Sequence, residues 1–139
     1  MSGETVTSKN ALQFTNDNKY AYIYSGAATI TSGAYTKGLE FSTNSEYILG
    51  EYQITSDDTT SSDLYYKISF NGVVILSKFN KNPNVSDPVG FSPIQFVIPP
   101  FTTVLIEAQR GSGTDYNVFH LLTGKVGMAQ RVGNLVDEW

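Results

Sequence analysis

Apolar residues along most of this chain recur at every second position, the period of a β-strand whose two faces meet different surroundings. From 94 to 108 (IQFVIPPFTTVLIEA), Ile94, Phe96 and Ile98 share one parity and Val104, Ile106 and Ala108 share another, with Pro99-Pro100 between them. Proline lacks a backbone N–H and fixes φ, so the pair predicts a corner between two strands and not a continuous ladder. In KYAYIYSG, Tyr20, Tyr22 and Tyr24 fall on one face and Ala21 and Ile23 on the other. Residues 27–31 continue this strand or form a second short one. Leu39 and Phe41 again lie two apart. In YILGEYQIT, Ile48, Tyr52 and Ile54 point one way and Glu51 and Gln53 the other, and Gly50 on the apolar parity predicts a bulge or close packing.

The sharpest local signal runs from Leu64 to Phe79. Leu64, Tyr66, Ile68 and Phe70 alternate with Tyr65, Lys67 and Ser69, and Asn71-Gly72 then leads into VVILSKF. Asn-Gly between two such runs predicts a type I′ hairpin, whose central residues must both accept positive φ. The run Val73-Val74-Ile75-Leu76 is apolar on both parities, which predicts a strand covered at least in part on both faces. Residues 80–93 hold three of the five prolines and read as a long surface connection that crosses from one sheet to another. In the final run, Val118, His120, Leu122 and Val126 share one parity and Phe119 and Leu121 the other.

About eight strands at intervals of about ten residues, with no helical period between them, predict an all-β antiparallel sandwich, and the long Pro-rich crossing favours a jelly roll. The domain spans 19–128. Residues 1–18 form a polar N-terminal arm with Val6, Leu12 and Phe14 as its apolar positions, and arms of this kind fray or add a strand to a neighbouring subunit. Residues 129–139 form a C-terminal tail in which Val132, Leu135, Val136 and Trp139 fit one face of a short helix, against the breaking tendency of Gly133.

Composition narrows the function classes. The 139 residues suit one domain with a sizeable core. Absence of cysteine removes disulfides and thiolate metal sites. A net charge of −4 without a Lys/Arg cluster works against nucleic-acid binding. No run approaches the roughly 20 apolar residues of a membrane span, and no basic-then-apolar leader opens the chain, so no membrane partner and no cleaved export signal are expected. Asn84-Val85-Ser86 is then a chance match to a glycosylation triplet.

No catalytic constellation is present, and the expectation is a protein that is not an enzyme and needs no cofactor. The single histidine, His120, lies in an apolar strand and reads as a hydrogen-bonded structural residue. The triplet Gly111-Ser112-Gly113 reads as a hairpin loop; Glu40, Glu46, Glu51 and Glu107 could include a carboxylate pair of the glycosidase kind, but every β-domain exposes a few glutamates and spacing does not fix their separation. Asp57, Asp58 and Asp63 offer oxygens that suit calcium, but without the glycine and terminal glutamate of a calcium loop a solvated loop is the expectation.

The order LEFST, SEYILGEYQI, YYKISFNGVVIL, SPIQFVIPPFTTVLIEAQ and LLTGKVGM resembles small jelly-roll virion proteins of tailed bacteriophages and other double-stranded DNA viruses, over residues 19–128. IPPFTTV and LTGKVG are its most specific parts. The resemblance implies a capsid-associated decoration, vertex or head-fibre module. Such a module is made in the host cytoplasm and resides in the virion, where it binds the major capsid protein or other virion proteins and copies of itself as a homo-oligomer. Its contact segments would be the arm (Val6, Leu12, Phe14), the strand bearing Val73 and Val74, and the tail (Val132, Leu135, Trp139), so deleting 1–18 would leave a folded domain that no longer binds particles. The alternative is a carbohydrate- or receptor-binding module at a fibre or tail tip, taking surface glycans on Tyr20, Tyr22 and Tyr24. Tyrosine stripes are also ordinary strand surfaces with half-buried rings.

Overall fold

The computed structural model describes the backbone of β1 (Val6–Ser8) and β2 (Leu12–Thr15) and residues 20–57, 63–80, 93–111 and 115–128. The remaining strands are β3 (Tyr20–Ile30), β4 (Thr36–Thr43), β5 (Glu46–Ser56), β6 (Leu64–Phe70), β7 (Val73–Asn80), β8 (Ile94–Ile98), β9 (Thr103–Arg110) and β10 (Tyr116–Met128). They form two antiparallel sheets: sheet I in the order β1-β4-β9-β6-β7 and sheet II in the order β2-β3-β10-β5-β8. From β3 onward successive strands alternate between the sheets, except for the β6–β7 hairpin. That strand order is a jelly roll of eight strands, four to each sheet, with β1 and β2 added at one edge of each.

The period-2 pattern produces the core directly. Ile23, Ile48, Tyr52, Ile54, Val118 and Leu122 of sheet II meet Leu39, Phe41, Leu64, Tyr66, Ile68, Val104 and Ile106 of sheet I, all buried. Each aliphatic side chain so removed from water contributes about 1.5–3 kcal/mol, and in a chain without cysteine this packing stands where cross-links otherwise would.

Turn chemistry sets the ends. Asn71 and Gly72 have φ of 51° and 84°, the type I′ hairpin that the sequence predicts. Asn71 is further tied to β9, its N–H donating to the Thr103 carbonyl and its Oδ1 accepting from the Thr103 N–H, both at 2.8 Å. The Pro99-Pro100 corner carries the chain from β8 in sheet II to β9 in sheet I. It is locked by the Thr43 hydroxyl, which donates to the Pro99 carbonyl at 2.7 Å and accepts from the Thr102 N–H at 3.0 Å. Phe101, at the tip, is held at φ 54° while its side chain is 74% exposed.

Two sequence expectations change and a third is narrowed. The segment at Gly111 is no hairpin, because β9 and β10 lie in different sheets; the Gly111 N–H donates to the Asp63 carbonyl at 3.0 Å and ties the crossing down. Of the two readings of Gly50, close packing holds and the bulge does not: it pairs with Gly124 in an uninterrupted β5–β10 register, and a Cβ on Gly124 would overlap the Leu49 carbonyl oxygen and crowd the Gly50 Cα. The apolar run of β7 is not buried on both faces, since Val73, Val74 and Ile75 are exposed. Its double parity arises from a bulge, with Leu76 opposite Ile68 and Val74 opposite Ser69, so that Ile75 is the extra residue.

Within the arm, β1 and β2 pair with this chain's own β4 and β3, setting Leu12 opposite Tyr24 and Phe14 opposite Tyr22. β7 and β8 lie in different sheets, so the connection between them crosses as expected. That connection with its Asn84 triplet, Asp58, Ser112-Gly113, and the tail with Val132, Leu135, Val136 and Trp139 lie outside the described residues.

Candidate functional site

Two surfaces stand out, one on each sheet. On the outer face of sheet II the register sets two rows straight across four strands. Tyr22, Thr123, Glu51 and Gln95 form one row; Tyr20, Lys125, Leu49 and Val97 form the other. At the strand spacing of about 4.8 Å each row spans roughly 14 Å. Between the rows the strands turn Ala21, Gly124, Gly50 and Phe96 toward the interior. All twelve residues line one groove of about 880 Å³. Tyr20 is 51% and Tyr22 39% exposed, and the Tyr22 and Tyr24 ring centroids are 6.4 Å apart.

The groove's polar groups are unspent. Thr123, Glu51, Gln95 and Lys125 make no side-chain hydrogen bond or ion pair with a described residue. On the outer face of sheet I the corresponding groups are spent on one another. Lys37 pairs with Glu40 at 3.1 Å and Lys67 with Glu107 at 3.5 Å, the Lys67 ammonium also lying 4.3 Å from the Tyr35 ring centroid. Ser42 and Thr103 share a 3.0 Å hydroxyl hydrogen bond.

The second surface is the β7 edge of sheet I. Val73 is 65% and Val74 50% exposed, and Ile75 and Phe79 are exposed beside them, with Phe79 against Tyr65 at 4.6 Å between centroids. β7 ends its sheet, so its outward main-chain groups have no strand partner among the described residues.

A polar assembly around His120 lies in the interior. A bulge in β3, with Gly26 at φ 71°, sets Ser25 and Gly26 opposite His120, and the Ser25 hydroxyl accepts the His120 backbone N–H at 3.0 Å. A second bulge in β4 turns Gly38 inward, and the His120 ring occupies the space a Cβ there would need. His120 Nδ1 and the Tyr52 hydroxyl are 2.6 Å apart, while Nε2 is buried without a partner. Two donor hydrogens share that one bond, so in either tautomer one of them lacks a described acceptor, at a cost of about 1–3 kcal/mol. Burial lowers the His120 pKa to about 4. Burial also raises Tyr66 to about 12, and raises Tyr52 well above 10 with a further contribution from Tyr66. With both partners neutral and enclosed, this is the structural histidine expected from the sequence.

Of the aspartates singled out in the sequence, Asp57 has its carboxylate engaged within the fold, and Asp63 accepts through its backbone carbonyl. Asp57 accepts from the Asn117 backbone N–H at 2.9 Å and from its side-chain amide at 3.1 Å, and the Asp63 carbonyl accepts from the Tyr116 hydroxyl at 3.1 Å. Among the described residues no three His, Cys, Asp or Glu side chains form a metal-binding group, and no helix is long and apolar enough to cross a membrane.

Of the residues singled out in the sequence, Tyr20 and Tyr22 come together in the groove and Val73 and Val74 on the open edge. Leu49, Glu51, Gln95, Val97, Thr123 and Lys125 were missed as site residues. Their signal was an apolar residue on the outward parity: Leu49 beside Glu51, and Val97 beside Gln95.

No family model and no curated protein matches this sequence. Among solved structures, the chain is similar to the CBM36-1 domain of a multidomain xylanase from the hindgut metagenome of Trinervitermes trinervoides (TM-score 0.44, 13% identity, covering 94% of this chain and 96% of that one). It is also similar to a structure of the infectious bursal disease virus Gx strain (TM-score 0.42, 10% identity, 91% and 33%). A third likeness is a family 35 carbohydrate binding module from Clostridium thermocellum (TM-score 0.36, 13% identity, 88% and 95%). The jelly-roll assignment rests on this chain's own strand order, and the functional reading on its own surfaces.

Proposed function

We propose that this chain is a non-enzymatic structural component of a virus particle, a capsid-associated jelly roll that docks on capsid subunits and on copies of itself through the open β7 edge. The observation that carries this reading is the asymmetry of edge protection. β1 covers β4 over residues 41–43 and β2 covers β3 over residues 21–24, and β8 is only five residues long. Among the described residues β7 is left as an eight-residue edge on which Val73, Val74, Ile75 and Phe79 are exposed. An uncovered apolar edge is an aggregation liability unless a partner completes it, either by strand addition or by packing on its face. The resemblance of residues 19–128 to virion jelly rolls supplies the partner class.

The test has two parts. Quantitative mass spectrometry of purified particles from the source should give a fixed copy number relative to the major capsid protein. The full chain carrying Val74→Lys should stay folded, because Val74 is already exposed, and should lose at least tenfold in particle occupancy. Absence of the chain from the particle, or unchanged occupancy of the variant, overturns the reading.

A further inference from the structure

We infer that the groove on the outer face of sheet II is a binding site for a short, neutral oligosaccharide, a site independent of the β7 edge. The chemistry of the two rows selects this ligand class. The row Tyr22, Thr123, Glu51 and Gln95 presents phenol, hydroxyl, carboxylate and amide groups in line, and the last three bond to no described residue. A sugar's hydroxyls are both donors and acceptors and match such a mixed row. The parallel row presents the Tyr20 ring, Leu49 and Val97 to solvent, a surface suited to the C–H face of a pyranose ring. A ligand lying across the four strands is therefore met by mainly polar groups along one side and, apart from Lys125, by apolar ones along the other, and each sugar ring has both.

Other occupants fit less well. A peptide recognised through its main chain needs an unpaired strand edge, and the groove lies on a sheet face whose backbone is committed to four paired strands. A nucleic acid needs an excess of cations, and the groove opposes one lysine, Lys125, with one carboxylate, Glu51. That balance complements an uncharged ligand. A volume of about 880 Å³ is near the upper end of the roughly 300–1,000 Å³ of small-ligand sites, and the roughly 14 Å rows favour several linked sugars over one.

The experiment uses the full chain against a panel of neutral glucan, xylan, mannan and N-acetylhexosamine oligomers, with acidic oligosaccharides alongside, read by titration calorimetry. At least one neutral oligomer should bind, and the heat should grow from disaccharide to longer oligomers. Tyr22→Ala and Glu51→Gln should each weaken that binding about tenfold or more, the worth of a well-made contact in a partly desolvated site. Tyr65→Ala, on the other sheet, should not. Should Tyr22→Ala fail to fold, Glu51→Gln and Gln95→Ala carry the test, since both side chains lie on the outer face and bond to no described residue. Binding of acidic oligomers only, binding indifferent to both groove substitutions, or no binding across the panel overturns the proposal. Val74→Lys should leave glycan binding intact, so failure here and failure of the particle reading are separately visible.

Discussion

Acidification should weaken this fold, and His120 is the reason. In the folded chain the imidazole is enclosed between Tyr52 and Gly38, and burial lowers its pKa to about 4, whereas unfolding returns it to 6.5. The neutral ring is the form the fold accepts. The stability this confers is therefore fully present above pH 6.5 and falls as the unfolded state takes up a proton that the native state refuses, levelling off near pH 4. Between pH 7.5 and pH 5 the loss is about 2 kcal/mol, or a fall of roughly 1 M in the urea midpoint for a domain of this size. Urea unfolding followed by tyrosine fluorescence at half-unit pH steps measures it. His120→Gln removes the titrating group, so whatever its own stability its curve should be nearly flat over this window. A native protein as flat as the variant, or a variant that keeps the 2 kcal/mol slope, would refute the assignment.

Two further substitutions probe the backbone. Gly38→Ala places a methyl group in the space of a buried ring that cannot swing away, and thermal unfolding should show a loss of about 3 kcal/mol, at the upper end for overpacked cores. Phe101→Gly should stabilise the chain by roughly 1 kcal/mol, because the left-handed conformation at φ 54° costs a non-glycine residue about that much and the exposed ring contributes little packing; a lower melting temperature would show that the ring packs after all.

The alternation of side chains was legible because parity is a local property. It placed Ile48, Tyr52, Ile54, Val118, His120 and Leu122 inside, and Asn71-Gly72 and Pro99-Pro100 fixed a hairpin and a corner through turn chemistry alone. What parity does not carry is which strand lies beside which. The segment at Gly111 resembled a hairpin loop because its residues suit any reversal, and only the tertiary arrangement sends β9 and β10 to opposite sheets. The groove was hidden for the same reason. Tyr22 and Gln95 are remote in sequence and become members of one row only when β3, β10, β5 and β8 take their register. The β7 run misled differently, since an inserted residue reverses parity midway and imitates a strand buried on both faces.

The two surfaces have a geometric relation that bears on how one chain would use both. The outer faces of a two-sheet sandwich point in opposite directions. Sheet I ends in the β7 edge, and sheet II carries the Tyr22 row on its outward face. A capsid subunit packed on β7 and the outer face of sheet I would hold the groove pointing away from the particle, where a glycan in solution reaches it. A subunit that instead added its strand in the plane of sheet II, beyond β8, would extend the Gln95 and Val97 end of the rows and lengthen the groove. Occupied particles should bind the oligosaccharide with the free chain's affinity in the first arrangement and more tightly in the second. Comparing the two affinities thus reads out the docking geometry without a structure of the assembly, and loss of glycan binding on docking would exclude both arrangements.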